Sequence, residues 1–255
     1  LKFLDIIFFI TNLRWKKMNL LRKIIPRKIL SLIKFYHIYH SLHRHSSSEN
    51  GFSKNFQGEA NPWITFPCIE FLRTLDLSSA RVFEFGSGSS TLFWSKHCLE
   101  VCSIEREREW FQKVSSSVAA NVTLKHSPDE RNYFKMIDLF SGDFDILVID
   151  GAVRFPSLEY SLPRLSNRGF VILDNTEWYP NCAKLLREQG YTQIDFTGFP
   201  PINAFTSCTS LFFKNSELIN NKKNLEKWTP IGGRHLIAHD DVPFDKINPD
   251  TLVER

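Results

Sequence analysis

Five apolar runs of this chain end in residues that can hold a charge, a hydroxyl or a proton. The first gives Glu84, Gly86, Ser87 and Gly88, and the second gives Glu105. The third gives His126, Ser127 and Asp129, the fourth Asp150, and the fifth Asp174 and Asn175. The first run is the most informative. In Arg81-Val-Phe-Glu-Phe-Gly-Ser-Gly-Ser-Ser-Thr91 an apolar stretch meets two glycines one residue apart, and Leu92, Phe93 and Trp94 then open a helical pattern. Glycine lets the backbone turn sharply and approach a ligand closely. The helix start beyond it offers unpaired N–H groups and a partial positive charge. Glu84 stands among apolar neighbours, where a carboxylate is costly unless paired; the ammonium group of a ligand would pair it. Glu105 follows about twenty residues on, where an acid takes a pair of ribose hydroxyls. The expected chemistry is the binding of a nucleotide-like ligand beside carboxylates that can take a proton. An ordinary strand-to-helix turn is the plainer reading of the glycine stretch taken alone.

The elements that must position these residues alternate. Strands are expected at 81–85, Glu100–Glu105, Val122–Lys125, Phe144–Asp150, Gly169–Leu173, Tyr191–Phe196 and Ser210–Lys214. Helices are expected at Cys68 to about Leu75, Arg106–Ala119, Asn132–Phe140, Ser157–Leu165 and Asn181–Gln189, the last closed by Gly190. Alternating units with continuously apolar strands predict a doubly wound α/β fold, its parallel sheet covered on both faces. No helix separates the last two strands, so an antiparallel final strand is expected. Ligands in such sheets bind beyond the carboxyl ends of the strands, at the topological switch point.

Composition bounds the rest. The 255 residues are 42% hydrophobic and 24% charged, enough for one domain with an extension. The net charge of +4 is unevenly placed: residues 1–45 hold ten Lys/Arg and one acid, Asp5, while the remainder holds 22 basic and 27 acidic residues. A mildly acidic body gives no reason to expect nucleic acid as substrate. The basic segment, with apolar residues at helical spacing over 18–45 and a break at Pro26, reads as an amphipathic helical extension. It suits peripheral contact with an anionic membrane, a cap on the domain, or a partner. Leu1 is not a methionine and Met18 is the first, so residues 1–17 read as an upstream extension of the frame, or the chain as a fragment. The expected division is 1–45 extension, 46–60 polar linker, 61–215 core domain and 216–255 tail or lid. Five irregularly spaced cysteines without a C-x-x-C argue for a reducing, cytoplasmic setting and against a disulfide frame or zinc site. Trp63 and Thr65, just before the core, can fold over the site or simply pack. Asn203 and Thr206 offer polar contacts to an acceptor, or packing.

The core, 61–215, resembles the class I S-adenosylmethionine-dependent methyltransferases. Glu84-x-Gly-x-Gly88, Glu105, the run Phe144–Asp150 and the antiparallel tail carry the likeness. The resemblance implies a Rossmann-like sheet of order 3-2-1-4-5-7-6 and S-adenosylmethionine as cofactor. It implies that Gly86 and Gly88 pass under the cofactor, that Glu84 faces its methionine part, that Glu105 holds the ribose hydroxyls and that Asp129 meets the adenine. Ile149-Asp-Gly-Ala with Gly169-Phe-Val-Ile-Leu-Asp-Asn-Thr-Glu-Trp178 is further similar to the catechol and caffeoyl-coenzyme A O-methyltransferases. That likeness implies Asp150, Asp174 and Asn175 as ligands of Mg²⁺ or Ca²⁺, which would lower the pKa of an acceptor hydroxyl. This chain lacks the lysine those enzymes carry shortly after the first Asp; Arg154 lies nearby, one position further on. Without a metal, Asp150 or Asp174 would act as general base or orient the substrate. The expected activity is methyl transfer to a hydroxyl of a small or sugar-like acceptor. Two alternatives stand beside it: a nicotinamide-dependent oxidoreductase, against which the third fingerprint position is Thr91 rather than glycine, and a noncatalytic domain that works through its basic helix.

Overall fold

The structure, a computed structural model, describes residues 26–33, 51–55, 58–203, 205–221 and 223. Most of the basic extension and the tail from residue 224, with Trp228 and Asp240-Asp241, lie outside the described residues. Residues 27–33 are helical and begin after Pro26, whose carbonyl accepts from the amides of Ile29 and Leu30. Among the described residues no helix is long and apolar enough to cross a membrane.

The core is one seven-stranded sheet built from β1 (Arg81–Phe85), β2 (Glu100–Glu105), β3 (Val122–His126), β4 (Phe144–Ile149), β5 (Leu165–Leu173), β6 (Thr192–Gly198) and β7 (Ser207–Phe213). Their order is 3-2-1-4-5-7-6. Strands β3, β2, β1, β4 and β5 pair in parallel, and β7 runs antiparallel to both β5 and β6. This is the class I methyltransferase arrangement that the resemblance implied. The helices are α1 (Phe66–Arg73), α2 (Ser89–His97), α3 (Arg108–Ser115), α4 (Glu130–Tyr133), α5 (Arg154–Ser161), α6 (Pro180–Glu188) and α7 (Glu217–Asn220).

Strand alternation sorts the core into two layers. Val82, Val101, Ile146, Val148, Phe170, Ile172 and Leu211 face one side and pack with Ile69 and Leu72 of α1 and Trp94 of α2. Phe83, Phe85, Ile104, Leu147, Ile149, Val171 and Phe212 face the other and pack with Tyr133, Leu158 and Leu186. Burial of each such side chain stabilises by roughly 1.5–3 kcal/mol, so the strand ends are held in fixed register. Glu84 falls on the first side, between Ser103 of β2 and Val148 of β4.

Several elements differ from expectation: the helix expected at Ser157–Leu165 runs Arg154–Ser161, that expected at Arg106–Ala119 runs Arg108–Ser115, and the strand expected from Ser210 begins at Ser207. The helix expected at Asn132–Phe140 starts earlier, because the Asp129 carboxylate caps it by accepting from the Arg131 amide (3.0 Å); it then tightens to a 3-10 turn over Phe134–Leu139. Strand β5 begins at Leu165, ahead of the expected Gly169. Its register against β4 shifts between Phe144 and Ile146, and a Cβ on Gly169 would stand 2.5 Å from the Asp145 carbonyl. Part of the polar stretch before residue 61 is built into the domain. The Ser53 amide donates to Ser89 Oγ (2.8 Å), and Phe52 stacks on Trp110 with ring centroids 5.2 Å apart.

Candidate active site

The loops after β1 and β4 meet at the switch point. Gly86 has φ +91°, and a Cβ there would stand 2.8 Å from Gly151 Cα. A Cβ on Gly151 would stand 2.5 Å from the Tyr133 hydroxyl and 2.7 Å from the Gly86 nitrogen. Only glycine on both sides permits this backbone contact. Above it opens a cleft of about 580 Å³, a size usual for small-molecule sites. Gly86, Ser87 and Gly88 form one wall with Glu105 and Trp110, Asp150 and Gly151 another, and Gly51 and Trp63 stand at its border.

Glu105 docks the glycine loop. Its Oε2 accepts from the Ser87 amide and hydroxyl (3.0 Å each), and its Oε1 accepts from the amides of Arg106 and Glu107 (2.8 Å each). A carboxylate has about four acceptor positions, so all are engaged. The Trp110 indole N–H donates to the Ser87 carbonyl (2.6 Å), closing the loop from the other side.

Glu84 lies beneath this loop and is fully buried; it does not line the cleft. Its Oε2 accepts from the hydroxyls of Thr91 (2.5 Å) and Ser103 (2.9 Å), and Thr91 Oγ1 in turn accepts from the Gly88 amide (2.9 Å). Its Oε1 has no partner among the described residues. Burial pushes the Glu84 carboxyl up to about 7, against the pull of the Ser90, Thr91 and Ser103 hydroxyls.

Asp150 lines the cleft and Asp174 sits behind it. The Asp174 Oδ1 accepts from Thr209 Oγ1 (2.6 Å), which itself accepts from the Thr65 amide (3.0 Å). Thr65 is therefore part of the support, while Trp63 is half exposed at the cleft. Burial and then the charge of Asp174 raise the Asp150 carboxyl well above its ordinary value, against Arg154. Burial also raises Asp174, opposed by the Thr209 hydroxyl and Arg154.

Arg154 gathers the expected metal ligands. Its guanidinium reaches the Asp150 side chain, the Asp174 carbonyl and the Asn175 side chain. The three residues therefore meet, but around a positive charge of the chain's own. They do not fit a divalent ion as drawn from the O-methyltransferase likeness, and that reading is not carried forward. Among the described residues no group of three His, Cys, Asp or Glu side chains is disposed to hold a metal. Val153 and Asn175, on either side of the guanidinium, have φ of 52° and 51°. For a β-branched residue such as Val153 this conformation costs about 1–3 kcal/mol and persists only where the surroundings enforce it.

Of the remaining expected residues, Asp129 spends its carboxylate on the α4 cap and on Asn132 Nδ2 (2.8 Å), and Glu130 is the acid of that turn at the cleft. Neither Asn203 nor Thr206 lines the cleft. The residues that sequence reasoning missed are Trp110, Glu130, Tyr133 and Gly151. Trp110 had one signal: with Phe111 it is a large aromatic in a charged helix start, five residues past the β2 acid.

No protein-family model matches the chain, and no curated protein sequence does. Among solved structures the chain is similar to precorrin-6y C5,15-methyltransferase from Geobacter metallireducens, at 16% identity over 66% of this chain and 96% of that one, with a TM-score of 0.49. It is similar to a methyltransferase from Pyrococcus furiosus, at 19% identity over 71% and 98%, with a TM-score of 0.47. It is also similar to the O-methyltransferase TomG from Streptomyces achromogenes, in complex with SAM, at 15% identity over 59% and 78%, with a TM-score of 0.46.

Proposed function

We propose that this chain transfers a methyl group from S-adenosylmethionine to a hydroxyl oxygen of a small acceptor. The observation that carries this reading is the clamp at the switch point, where Ser87 of the Gly-x-Gly turn is held by the β2 carboxylate Glu105 at the wall of the cleft. Glu84 Oε1 is a buried acceptor without a partner among the described residues under the same loop, but Glu84 does not line the cleft and so has no contact with the cofactor.

When bound, the cofactor supplies an electrophilic methyl group on a positively charged sulfur. Gly86 and Gly88, which line the cleft, would help to hold it. Glu105 holds the ribose hydroxyls once the Ser87 hydroxyl yields its place on Oε2. Asp150 would take the proton that the acceptor hydroxyl gives up in exchange for the methyl group that the cofactor would supply. Burial raises the proton affinity of Asp150, as suits a group that takes up a proton. Asp174, fixed by Thr209, supports the Asp150 side of the cleft from behind.

Calorimetric titration of the full chain with S-adenosylmethionine, with NADH in parallel, tests the reading. Saturable binding of S-adenosylmethionine is expected. Glu105→Ala should weaken it at least about tenfold, since each lost hydrogen bond is worth about 0.5–1.5 kcal/mol. Ser87→Ala should preserve or improve it, because the hydroxyl no longer competes for Oε2. Binding of NADH alone would point to an oxidoreductase. Binding of neither by a folded sample would favour a noncatalytic domain.

A further inference from the structure

Two of the three side chains that the O-methyltransferase likeness offers to a divalent cation, Asp150 and Asn175, are already bridged by a side chain, which also takes the backbone carbonyl of the third, Asp174. Arg154 Nε donates to the Gly151 carbonyl (3.1 Å). One terminal nitrogen donates to the Asp174 carbonyl (2.5 Å) and to Asn175 Oδ1 (3.3 Å). The other donates to the Asp150 carbonyl (3.0 Å) and to Asp150 Oδ1 (3.0 Å). A guanidinium carries five N–H groups, so all of them are matched. The group also lies over the Tyr179 ring, 4.5 Å from its centroid, and the side chain is only 10% exposed.

The backbone is bent to reach this arrangement. Val153 enters the left-handed region one residue before Arg154, and Asn175 does so where it accepts from it. Strain of this kind survives only where neighbouring contacts over-determine it. A guanidinium keeps its charge throughout the physiological range, so it cannot vacate the site by losing a proton. Mg²⁺ or Ca²⁺ would need several of the same oxygens at about 2.0–2.6 Å, with a fixed positive charge alongside. The Asp174 carboxylate is meanwhile turned to Thr209. What remains for a reacting group is Asp150 Oδ2, which accepts from none of the described residues at the cleft wall.

We propose that Arg154 takes the place of the divalent ion in this site, tying the end of β4 to the end of β5 and aiming Asp150 Oδ2 into the cleft. Arg154 is then a positioning residue, and the site works without metal. The catalytic meaning of this assignment rests on the methyl-transfer reading; its test does not.

The full chain is titrated with Mn²⁺, and the free ion is followed by electron paramagnetic resonance. In parallel the arginine Nε–H resonances are recorded, that of Arg154 being assigned by its loss in Arg154→Lys. The wild type should take up no Mn²⁺ in molar excess, and the Arg154 resonance should stay sharp. Arg154→Ala, which frees the oxygens, should take up Mn²⁺ stoichiometrically, and Asp150→Asn added to it should abolish that uptake. Stoichiometric uptake by the wild type with broadening of the Arg154 resonance would overturn the proposal, and so would a folded Arg154→Ala that takes up none. If Arg154→Ala does not fold, the two wild-type readouts decide alone, sharp for and broadened against. Neither readout involves the cofactor, so failure to bind S-adenosylmethionine would be a separate result.

Discussion

At the scale of single residues, Glu84 carries the clearest consequence for pH. Unfolded, it gives up its proton near the ordinary value of 4.5; folded, burial holds that proton up to about 7. Between these values the folded state binds more protons than the unfolded one, so stability falls as pH rises. The contribution is absent below 4.5 and complete above 7. It is on the order of 3 kcal/mol at about 1.4 kcal/mol per pH unit. Glu84→Gln keeps an acceptor for Thr91 and Ser103 and removes the charge. Urea unfolding across this range should therefore show the variant gaining on the wild type by that order as pH rises. Parallel curves for the two proteins would show that the Glu84 carboxyl is not perturbed. Asp145 behaves oppositely. Burial pushes it up, but the Arg168 guanidinium, the Arg81 amide and the Ser166 hydroxyl together hold it below its ordinary value.

At the scale of elements, the turn after β1 separates two uses of glycine. Gly86 combines φ +91° with a backbone neighbour at 2.8 Å, so Gly86→Ala should cost roughly 1–3 kcal/mol and distort the cleft. Gly88 has φ 167°, an extended conformation open to any residue, and its Cβ would meet only Trp110 at 3.6 Å. Gly88→Ala should therefore melt close to the wild type while still weakening ligand binding. Thermal melts beside cofactor titrations of both variants check this; equal melting temperatures would remove the argument from backbone contact. The same elements show what was legible beforehand. Strands β1, β2 and β4 were readable because long apolar runs bounded by polar ends leave few alternatives. Their carboxyl-terminal residues then followed, and with them Glu84, Glu105 and Asp150. The reach of Arg154 was not readable. It depends on a left-handed Val153, and valine in a sequence signals a strand or helix interior, not a strained turn. The bond from Thr65 to Thr209 joins residues 144 positions apart, and no local pattern announces it.

At the scale of the whole molecule, the two ends of the sheet treat their acids differently. At the end where the parallel strands begin, Asp145 is matched on both oxygens by Arg168, Arg81 and Ser166. At the end where they finish, Glu84 and Asp150 each keep one oxygen without a partner among the described residues. Glu105, at the same end, is matched on both oxygens, so the contrast lies in Glu84 and Asp150 alone. The contact between Gly86 and Gly151 then has a mechanical consequence. With no side chain between them to slide or rotate, the two loops form one rigid floor and cannot open separately. Any opening of the cleft then falls to its other lining residues, among them Gly51 and the half-exposed Trp63 of the segment ahead of α1. Hydrogen exchange should find the amides of Gly86 and Asp150, bonded to the Ile104 and Phe85 carbonyls, among the slowest, and those near Trp63 much faster. Equal rates at floor and border would mean that the cleft opens as a whole. If the floor is as stiff as its geometry requires, the rate at which the cleft exchanges a ligand depends on the movement of a few residues that precede α1.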